Sequence, residues 1–490
     1  MRPKRALISV WDKRGIVELS KTFKNLGIEI IATPGTHRFL KSKGVLSKEV
    51  SEYTGQPPLS HQRVKTLHPK IFAGILSLRD EGIEPIDIVV CNLYPFLEGV
   101  RSNKREEELI ELIDIGGVSL LRAGAKNYRY VAVLSDPDDY QEFLEELREG
   151  EISEPTLRRL AVKAWEIVAH YDTLIFAYFN KNPFPSHLTT TYIKSLDLRY
   201  GENPHQKAAL YLSPLLGLPI EKLWGKELSY NNLRDIEAVI EGVMEFSEPA
   251  SVIVKHTTPC GVGKGKDLKE AYKNAYETDT KSPFGGVVGF NKRLDPQTAE
   301  LLSQIFLEVV AAPDFDPQSL SILKRKKNLR VIKFKRGTEK RELHSVLGGL
   351  LYQEKDIIDE NPSRWEVVTD RRPSPEEREA LEFAWKVVKH TKSNSVVLAK
   401  PNRTIGIGQG QTSRVAAVEI AIRNGQGRTE GAVLASDGFF PFRDSIDLSA
   451  TAGITAVVQP GGSIRDKEVI DACNEYNIAM CFTKVRHFRH

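Results

Sequence analysis

A chain of 490 residues with 41% hydrophobic and 27% charged residues, and with 35 Gly and 26 Pro spread along its length, carries enough apolar material for about three compact units at roughly 150 residues each. Its net charge of +4 is too mild and dispersed for a nucleic-acid footprint, and no run approaches the roughly 20 apolar residues of a membrane span. The four cysteines, Cys91, Cys260, Cys473 and Cys481, form none of the close pairs of a zinc or redox motif, and the apolar run after Met1–Arg5 is too short for a signal peptide. The expectation is a cytoplasmic protein with reduced thiols, no catalytic metal, and no nucleic-acid or membrane partner.

From Ala6 to Leu134 short apolar runs alternate with helical periods. Ala6–Val10 reads as a strand, Gly15–Leu26 as a helix, Ile28–Ala32 as a strand, and Ile86–Val90 and Tyr130–Leu134 as later strands. This is βαβ winding, with helices on both faces of a parallel sheet. Polar candidates collect in the loops. Thr33-Pro34-Gly35-Thr36 follows a strand and opens a helix, a context that suits a phosphate and equally an ordinary capped turn. In His61–Pro69, Arg63 and Lys65 share a face if the segment is extended. Cys91-Asn92-Leu93-Tyr94-Pro95-Phe96 begins at a strand end. Asp114 precedes a helix and fits either a cap or a general base, while Lys126, on that helix, fits either a solvated cation or a general acid.

The helical stretch Thr156–Tyr171 gives way to Asn180–Ser186, a Pro-broken linker, and the domain boundary falls between Pro185 and Leu198. Ser251–Val254 reads as a strand that Pro259 and Gly261 terminate, with a helix resuming over Leu268–Thr278, so Lys255 and His256 sit at a strand's carboxyl end. Ser282–Gly286 leads into strand Val287–Phe290. At the next break Ser374 can cap a helix, with Pro375 in its first position and Glu377 completing a capping box. The Gly-rich loop Gly406–Arg414, its helix, and strand Ala432–Ala435 running into Ser436–Phe440 echo the preceding segment, as a duplication would. Lys484–His490 has five basic residues among seven and reads as a frayed end, unless it folds back to meet an anion.

In one order the chain carries SVWDKRG, ATPGT, RVKTLHP, CNLYPF, IDIGG with LLRAGAKN, LRYGENPHQ, KHTTPCG, SPFGG, KSNS, GIGQGQTSR, FFPFRDSID, QPGGS and RHFRH. With these motifs it resembles the bifunctional purine-biosynthesis family that fuses phosphoribosylaminoimidazolecarboxamide formyltransferase to inosine monophosphate cyclohydrolase. The resemblance implies an α/β protein. Residues 1–190 would be a doubly wound cyclohydrolase domain like methylglyoxal synthase, and 191–370 and 371–490 a pair of cytidine-deaminase-like formyltransferase subdomains without a zinc role.

In the first domain it implies nucleotide binding by Trp11, Asp12 and Lys13, by Thr33, Pro34, Gly35 and Thr36, by Arg63, Val64, Lys65 and Thr66, and by Cys91, Asn92 and Ile115. Lys126 matches the catalytic lysine, supported by Tyr94 and Asp114. In the second half it implies His256 as proton acceptor and Lys255 as the neighbouring stabiliser. The ribotide would meet Arg199, Tyr200, Gly285, Glu308, Asn394, Arg414, Phe439, Asp444 and Arg486, and the co-substrate 10-formyltetrahydrofolate would meet Val415, Ser463 and Ile464. A transferase site built across a homodimer is implied as well. Thr258, Pro283, Trp11 and Glu308 depart from common family forms.

Overall fold

A computed structural model describes residues 2–60, 63–79, 82–337, 339–358 and 361–490. His61 and Gln62 of the RVKTLHP region lie outside the described residues. Contacts divide the chain into two compact units, Met1–Ile193 with Ser213–Leu215, and Lys194–Leu212 with Leu216–His490.

The first unit holds strands β1 (Arg5–Val10), β2 (Glu29–Ala32), β3 (Lys48–Glu49), β4 (Ile88–Asn92) and β5 (Ala132–Leu134). They form one parallel sheet in the order β3-β2-β1-β4-β5. Such strands are buried on both faces, which is why they appear in sequence as unbroken apolar runs. Ala6, Ile8, Ile88 and Val90 face one core, and Leu7, Ile31, Val89 and Val133 the other. The chain leaves β1 for β2 on one side and returns to β4 on the other, so a switch point opens beyond the carboxyl ends of β1 and β4.

The second unit adds β6 (Ile193–Leu198), β7 (Ala208–Leu212), β8 (Ile220–Trp224), β9 (Ala250–Lys255), β10 (Thr258–Lys264), β11 (Val287–Phe290), β12 (Val309–Ala312) and β13 (Arg330–Phe334). There follow β14 (Arg341–Val346), β15 (Gly349–Glu354), β16 (Glu366–Val367), β17 (Val396–Lys400), β18 (Arg403–Gly408), β19 (Val433–Ser436), β20 (Ala456–Gln459) and β21 (Ala479–Phe482). Twelve of them make a single sheet, β16-β21-β20-β19-β17-β18-β10-β9-β11-β12-β13-β8. The order is a palindrome about the β18/β10 seam, where Gly263 pairs antiparallel with Arg403. A duplicated unit with a pseudo-two-fold axis through the seam accounts for it.

Glycine builds the seam. A Cβ on Gly261 or Gly263 would lie 2.1 Å from the Ala275 carbonyl oxygen or 2.4 Å from that of Ala271, in helix Leu268–Tyr276. In the second copy a Cβ on Gly406 or Gly408 would lie 2.1 Å from the Ala421 oxygen or 1.9 Å from that of Ala417, in helix Arg414–Gly425. These glycines stand inside strands, correcting the expectation that Pro259 and Gly261 end a strand and that Gly406–Arg414 is wholly loop. They are there so that a helix backbone can lie directly on the sheet. The capping box at Ser374 forms as read, with Ser374 N–H on Glu377 at 2.7 Å and Glu377 N–H on Ser374 Oγ at 3.2 Å.

The basic segment after β21 is docked, not frayed. His487 N–H donates to the Asp437 carbonyl at 3.0 Å, its ring meets Asp356, and Arg489 pairs with Glu241 at 3.0 Å, accepts the Ser393 N–H on its carbonyl at 2.9 Å and donates its own N–H to the Ser393 hydroxyl at 3.2 Å. Beside it His390 and Lys389 each approach Glu245 at 3.0 Å. Burial alone would raise the Glu245 carboxyl, but His390 and Lys389 outweigh it and hold it at about 2.

Two outcomes follow. Gly408→Ala should cost about 1–3 kcal/mol of stability in the second unit, read as a lower urea midpoint. Glu245, depressed from 4.5 to about 2, stabilises the fold fully above pH 4.5 and loses that contribution as pH falls toward 2. Glu245→Gln should therefore flatten the fall in urea-unfolding stability over that interval.

Candidate active sites

At the switch point of the first unit the strand ends are tied together by Asn92. Its Oδ1 accepts the N–H groups of Trp11 at 2.6 Å and Asp12 at 2.9 Å, and its Nδ2 donates to the Asp12 carbonyl at 3.0 Å. Lys13 turns back under the loop onto the Val10 carbonyl and lies 3.5 Å from Thr36 Oγ1, and burial lowers its pKa. Thr33 precedes helix Pro34–Ser42, and Pro34 fills the first helical position, where no N–H is wanted. A Cβ on Gly35 would meet nothing within 4 Å, so this helix start faces open space. Its free amides and positive dipole end suit an anion.

Around the same opening, Lys65 Nζ lies 3.5 Å from the Tyr94 hydroxyl, and the Tyr94 ring meets Trp11 edge-on at 5.4 Å. Asp114 caps the helix Gly116–Lys126 through the Gly117 N–H at 2.6 Å, while its own N–H donates to the Tyr171 hydroxyl. Burial raises the Asp114 carboxyl, against the Gly117 and Tyr94 N–H groups and the charge of Lys65. Asp114 is thus both the cap and a carboxyl of altered acidity, so its two readings coexist. Thr66 lies under Gly116, where a Cβ would come 2.8 Å from its hydroxyl. Cys91 is buried, and Ile115 is exposed beside Asp114. Val64 pairs with Leu59, and Arg63 is paired with Glu111 at the surface.

Lys126 is not brought to this opening. It is exposed at the far end of an 11-residue helix whose start carries Asp114, about 15 Å away along the axis. The cation beside Tyr94 and Asp114 is Lys65.

In the second unit Lys255 ends β9 and pairs with Thr258, the first residue of β10, so His256 and Thr257 are the two central residues of a hairpin turn. The departing residue Thr258 closes that turn, donating its hydroxyl to the Lys255 carbonyl at 3.0 Å. Lys255 Nζ donates to the Phe284 carbonyl at 3.0 Å, and His256 is exposed. Next to them Gly285 has φ of 75°, and Glu308, joined to Gly286 through its N–H at 3.0 Å, pairs with the buried Arg330. Because β9 runs antiparallel to β11, this cluster lies at the amino ends of the parallel strands β11, β12 and β13.

The other cluster surrounds Arg414, 6% exposed, and Asp437, fully buried. The Arg414 guanidinium pairs with Asp437, donates to the Ser395 carbonyl at 3.0 Å and reaches Asn394 Oδ1 at 2.8 Å. Asp437 Oδ1 also accepts the Ser395 N–H at 3.0 Å. The pseudo-equivalent of this last bond runs from Ala250 N–H to Asn291 Oδ1 at 2.9 Å, but there the side-chain amide donates onward to the Phe246 and Glu248 carbonyls. Phe488 packs where a Cβ on Gly438 would be, 2.7 Å away, and the Arg486 guanidinium stacks on its ring at 4.5 Å. Phe439 and Ile464 are exposed, Asp444 opens helix Asp444–Thr451, Val415 follows Arg414, and Ser463 precedes Ile464 in the loop after β20. Arg199 stacks over Tyr200 at 5.3 Å in the turn after β6, and the Glu202 carbonyl of that turn accepts the Asn231 side chain at 3.2 Å, one helical turn from Asp235. Asp437, Arg330 and Asp235 escaped the sequence reading. Asp437 lies within the Ser436–Phe440 segment that follows a strand, but a buried partner for Arg414 leaves no local signal.

Strand directions settle where these clusters fall. β11 is parallel to β10, β19 is parallel to β18, and β10 is antiparallel to β18, so the amino ends of β11–β13 and the carboxyl ends of β19–β21 share one sheet edge. Within one chain Lys255 and the Asn394–Arg414–Asp437 group are three to four strands apart on that edge, about 14–19 Å.

A family profile described as AICARFT/IMPCHase bienzyme matches residues 124–424, and one described as MGS-like domain matches residues 15–119. The chain is 50% identical over 506 residues to the bifunctional purine biosynthesis protein PurH of Thermoanaerobacter sp. (strain X514), covering 99% of this chain and 100% of that protein. It is 50% identical over 515 residues to the PurH of Persephonella marina, with the same shares. A crystal structure of ForH is 34% identical over 36% of this chain and 96% of that chain, at a TM-score of 0.32. No helix among the described residues is long and apolar enough to cross a membrane. By its full-length identity and the match over most of its second unit, the chain belongs to the AICARFT/IMPCHase bienzyme family.

Proposed function

We propose that this chain carries both reactions of its family. 5-Aminoimidazole-4-carboxamide ribotide takes a formyl group from 10-formyltetrahydrofolate, and the formylated product closes to inosine monophosphate. The observation that carries the reading is the presence of separate polar clusters in the two compact units, one in the first and two along a shared sheet edge in the second, each built from the strand-end motifs that match the family.

In ring closure the carboxamide nitrogen adds to the formyl carbon, the carbonyl oxygen takes a proton, and water leaves. The ribotide phosphate suits the open helix start at Thr33–Thr36, with Lys13 behind it. Lys65, close to Tyr94 and facing Asp114, is the cation nearest the reacting carbonyl in this arrangement, and it stabilises the developing oxyanion. Asp114, raised by burial, can hold the proton that the carboxamide nitrogen loses.

In formyl transfer the ribotide amine attacks the formyl carbon, and the bond from that carbon to folate N10 breaks. The amine is a poor nucleophile, because its lone pair is delocalised toward the carboxamide, so positioning and a base must compensate. His256 accepts the amine proton, and Lys255, anchored on the Phe284 carbonyl, stabilises charge on the formyl oxygen. Arg414, Asn394 and Arg486 present donors for phosphate and carboxamide, and Val415, Ser463 and Ile464 line the folate side. The separation of about 14–19 Å between His256 and the Arg414 group supports a site completed by a second copy, as a homodimer would provide.

His256→Ala should abolish formyl transfer, measured with the ribotide and 10-formyltetrahydrofolate, and leave cyclisation of supplied formylated ribotide intact. Lys65→Ala should do the reverse, lowering cyclisation about 100-fold, whereas Lys126→Ala, far from the opening, should lower it far less. Equal loss in the two lysine variants would return the role to Lys126. If a second copy completes the transferase site, unfolding and refolding His256→Ala together with Arg486→Ala should restore roughly a quarter of native formyl transfer through mixed dimers. Sites contained in one chain would restore none.

A further inference from the structure

The turn carrying His256 is awkward for the residues that form it. Its two central positions have φ of 55° and 62°, the left-handed pair that this kind of two-residue hairpin demands and that Asn-Gly ordinarily supplies. Here they are a histidine and a β-branched threonine, for which such backbone is strained. The surrounding structure has to over-determine it.

Asp235 does so. It sits in helix Tyr230–Val243, which begins with the Ser229–Asn232 capping box and packs on the sheet through Ile236, Val239 and Val243. From that fixed base its Oδ1 accepts the Thr257 N–H at 2.6 Å. The same carboxylate is stabilised by the backbone and by the charge of His256. Burial is the larger influence and raises the Asp235 carboxyl above its ordinary value, with the turn's N–H groups and His256 offsetting part of it. The remaining titratable groups around it are Arg234 on its own helix and, from β10 and the end of β9, Cys260 and Lys255. Burial pushes the Cys260 thiol up to about 12, so it adds no charge near neutrality.

We propose that Asp235 is a positioning residue for formyl transfer: its carboxylate locks the left-handed His256–Thr257 turn at the sheet edge and supplies the counter-charge when the His256 imidazole takes up the amine proton. The inference rests on the formyl-transfer reading above. In this step the amine N–H bond breaks as its nitrogen bonds to the formyl carbon, the imidazole becomes cationic, and Asp235 stays ionised. The imidazolium then returns its proton to folate N10 as the bond from carbon to N10 breaks.

The test is Asp235→Asn, which keeps an oxygen for the Thr257 N–H and loses only the charge. The expected result is a fall of at least about 30-fold in kcat for formyl transfer, with KM for the ribotide changed less than about threefold. The acid limb of its pH–rate profile should move to lower pH, and cyclisation of supplied formylated ribotide should keep its native rate. A kcat within threefold of native on an unmoved pH profile overturns the proposal. A second variant, Asp235→Asn with Thr257→Gly, separates charge from turn geometry, since glycine adopts the left-handed conformation freely. Low kcat in that variant supports the counter-charge, and full recovery overturns it. Absence of formyl transfer in the native enzyme would overturn the parent reading instead, a result distinct from any of these.

Discussion

The close approach of two helices to two strands governs the second half of this molecule. Wherever Gly261, Gly263, Gly406 and Gly408 stand, a helix carbonyl occupies the space that a side chain would need. Without those contacts the helices Leu268–Tyr276 and Arg414–Gly425 could not both lie against adjacent strands, and the two halves could not share one sheet. The seam they create is antiparallel, which reverses strand direction from one half to the other. That reversal brings the amino ends of β11–β13 and the carboxyl ends of β19–β21 to one edge, and both clusters of the second unit are there.

A fully buried carboxylate, Asp437, and its arginine lie at that edge. A buried ion pair is weak evidence of stability in itself, because desolvation opposes the Coulomb gain, yet removing one partner leaves an uncompensated charge. Arg414 and Asp437 form such a pair, and the nearby Asn394 and Ser395 contacts fix the guanidinium in one orientation. The segment after β21 closes over the same node. His487 faces inward while Arg486 and Phe488 face outward, so the contacts of His487 with Asp356 and of Arg489 with Glu241 hold the intervening segment and its arginine at the surface.

What could be read from sequence followed local physics. Apolar runs such as Ile88–Val90 and Val287–Val288 could be only strands in an alternating chain, and Ser374-Pro375-Glu376-Glu377 spelled a helix start. The strand glycines were misread because glycine next to proline or polar residues ordinarily marks a turn, while the helix carbonyl that requires it comes from elsewhere in the chain. The pairing of Gly263 with Arg403 joins residues 140 apart and leaves no periodic trace. The docked segment looked frayed because its partners, Asp356, Glu241 and Asp437, are remote in sequence. Lys126 shared a motif with Asp114 but not a place: the 11-residue helix that Asp114 caps carries Lys126 to its far end. Lys65, from a different motif, arrives beside Tyr94 by folding.

Asn291 and Asp437 occupy matching places in the two halves and accept the same backbone N–H, from Ala250 and Ser395. Asparagine has a second, donating end, which Phe246 and Glu248 satisfy, so that strand end is closed by backbone. Aspartate can only accept. Its unmet charge calls in the Ser393 hydroxyl and Arg414, and through Arg414 a side chain able to grip an anionic guest. Exchanging one amide nitrogen for an oxygen thus separates a closed strand end from one that holds an arginine.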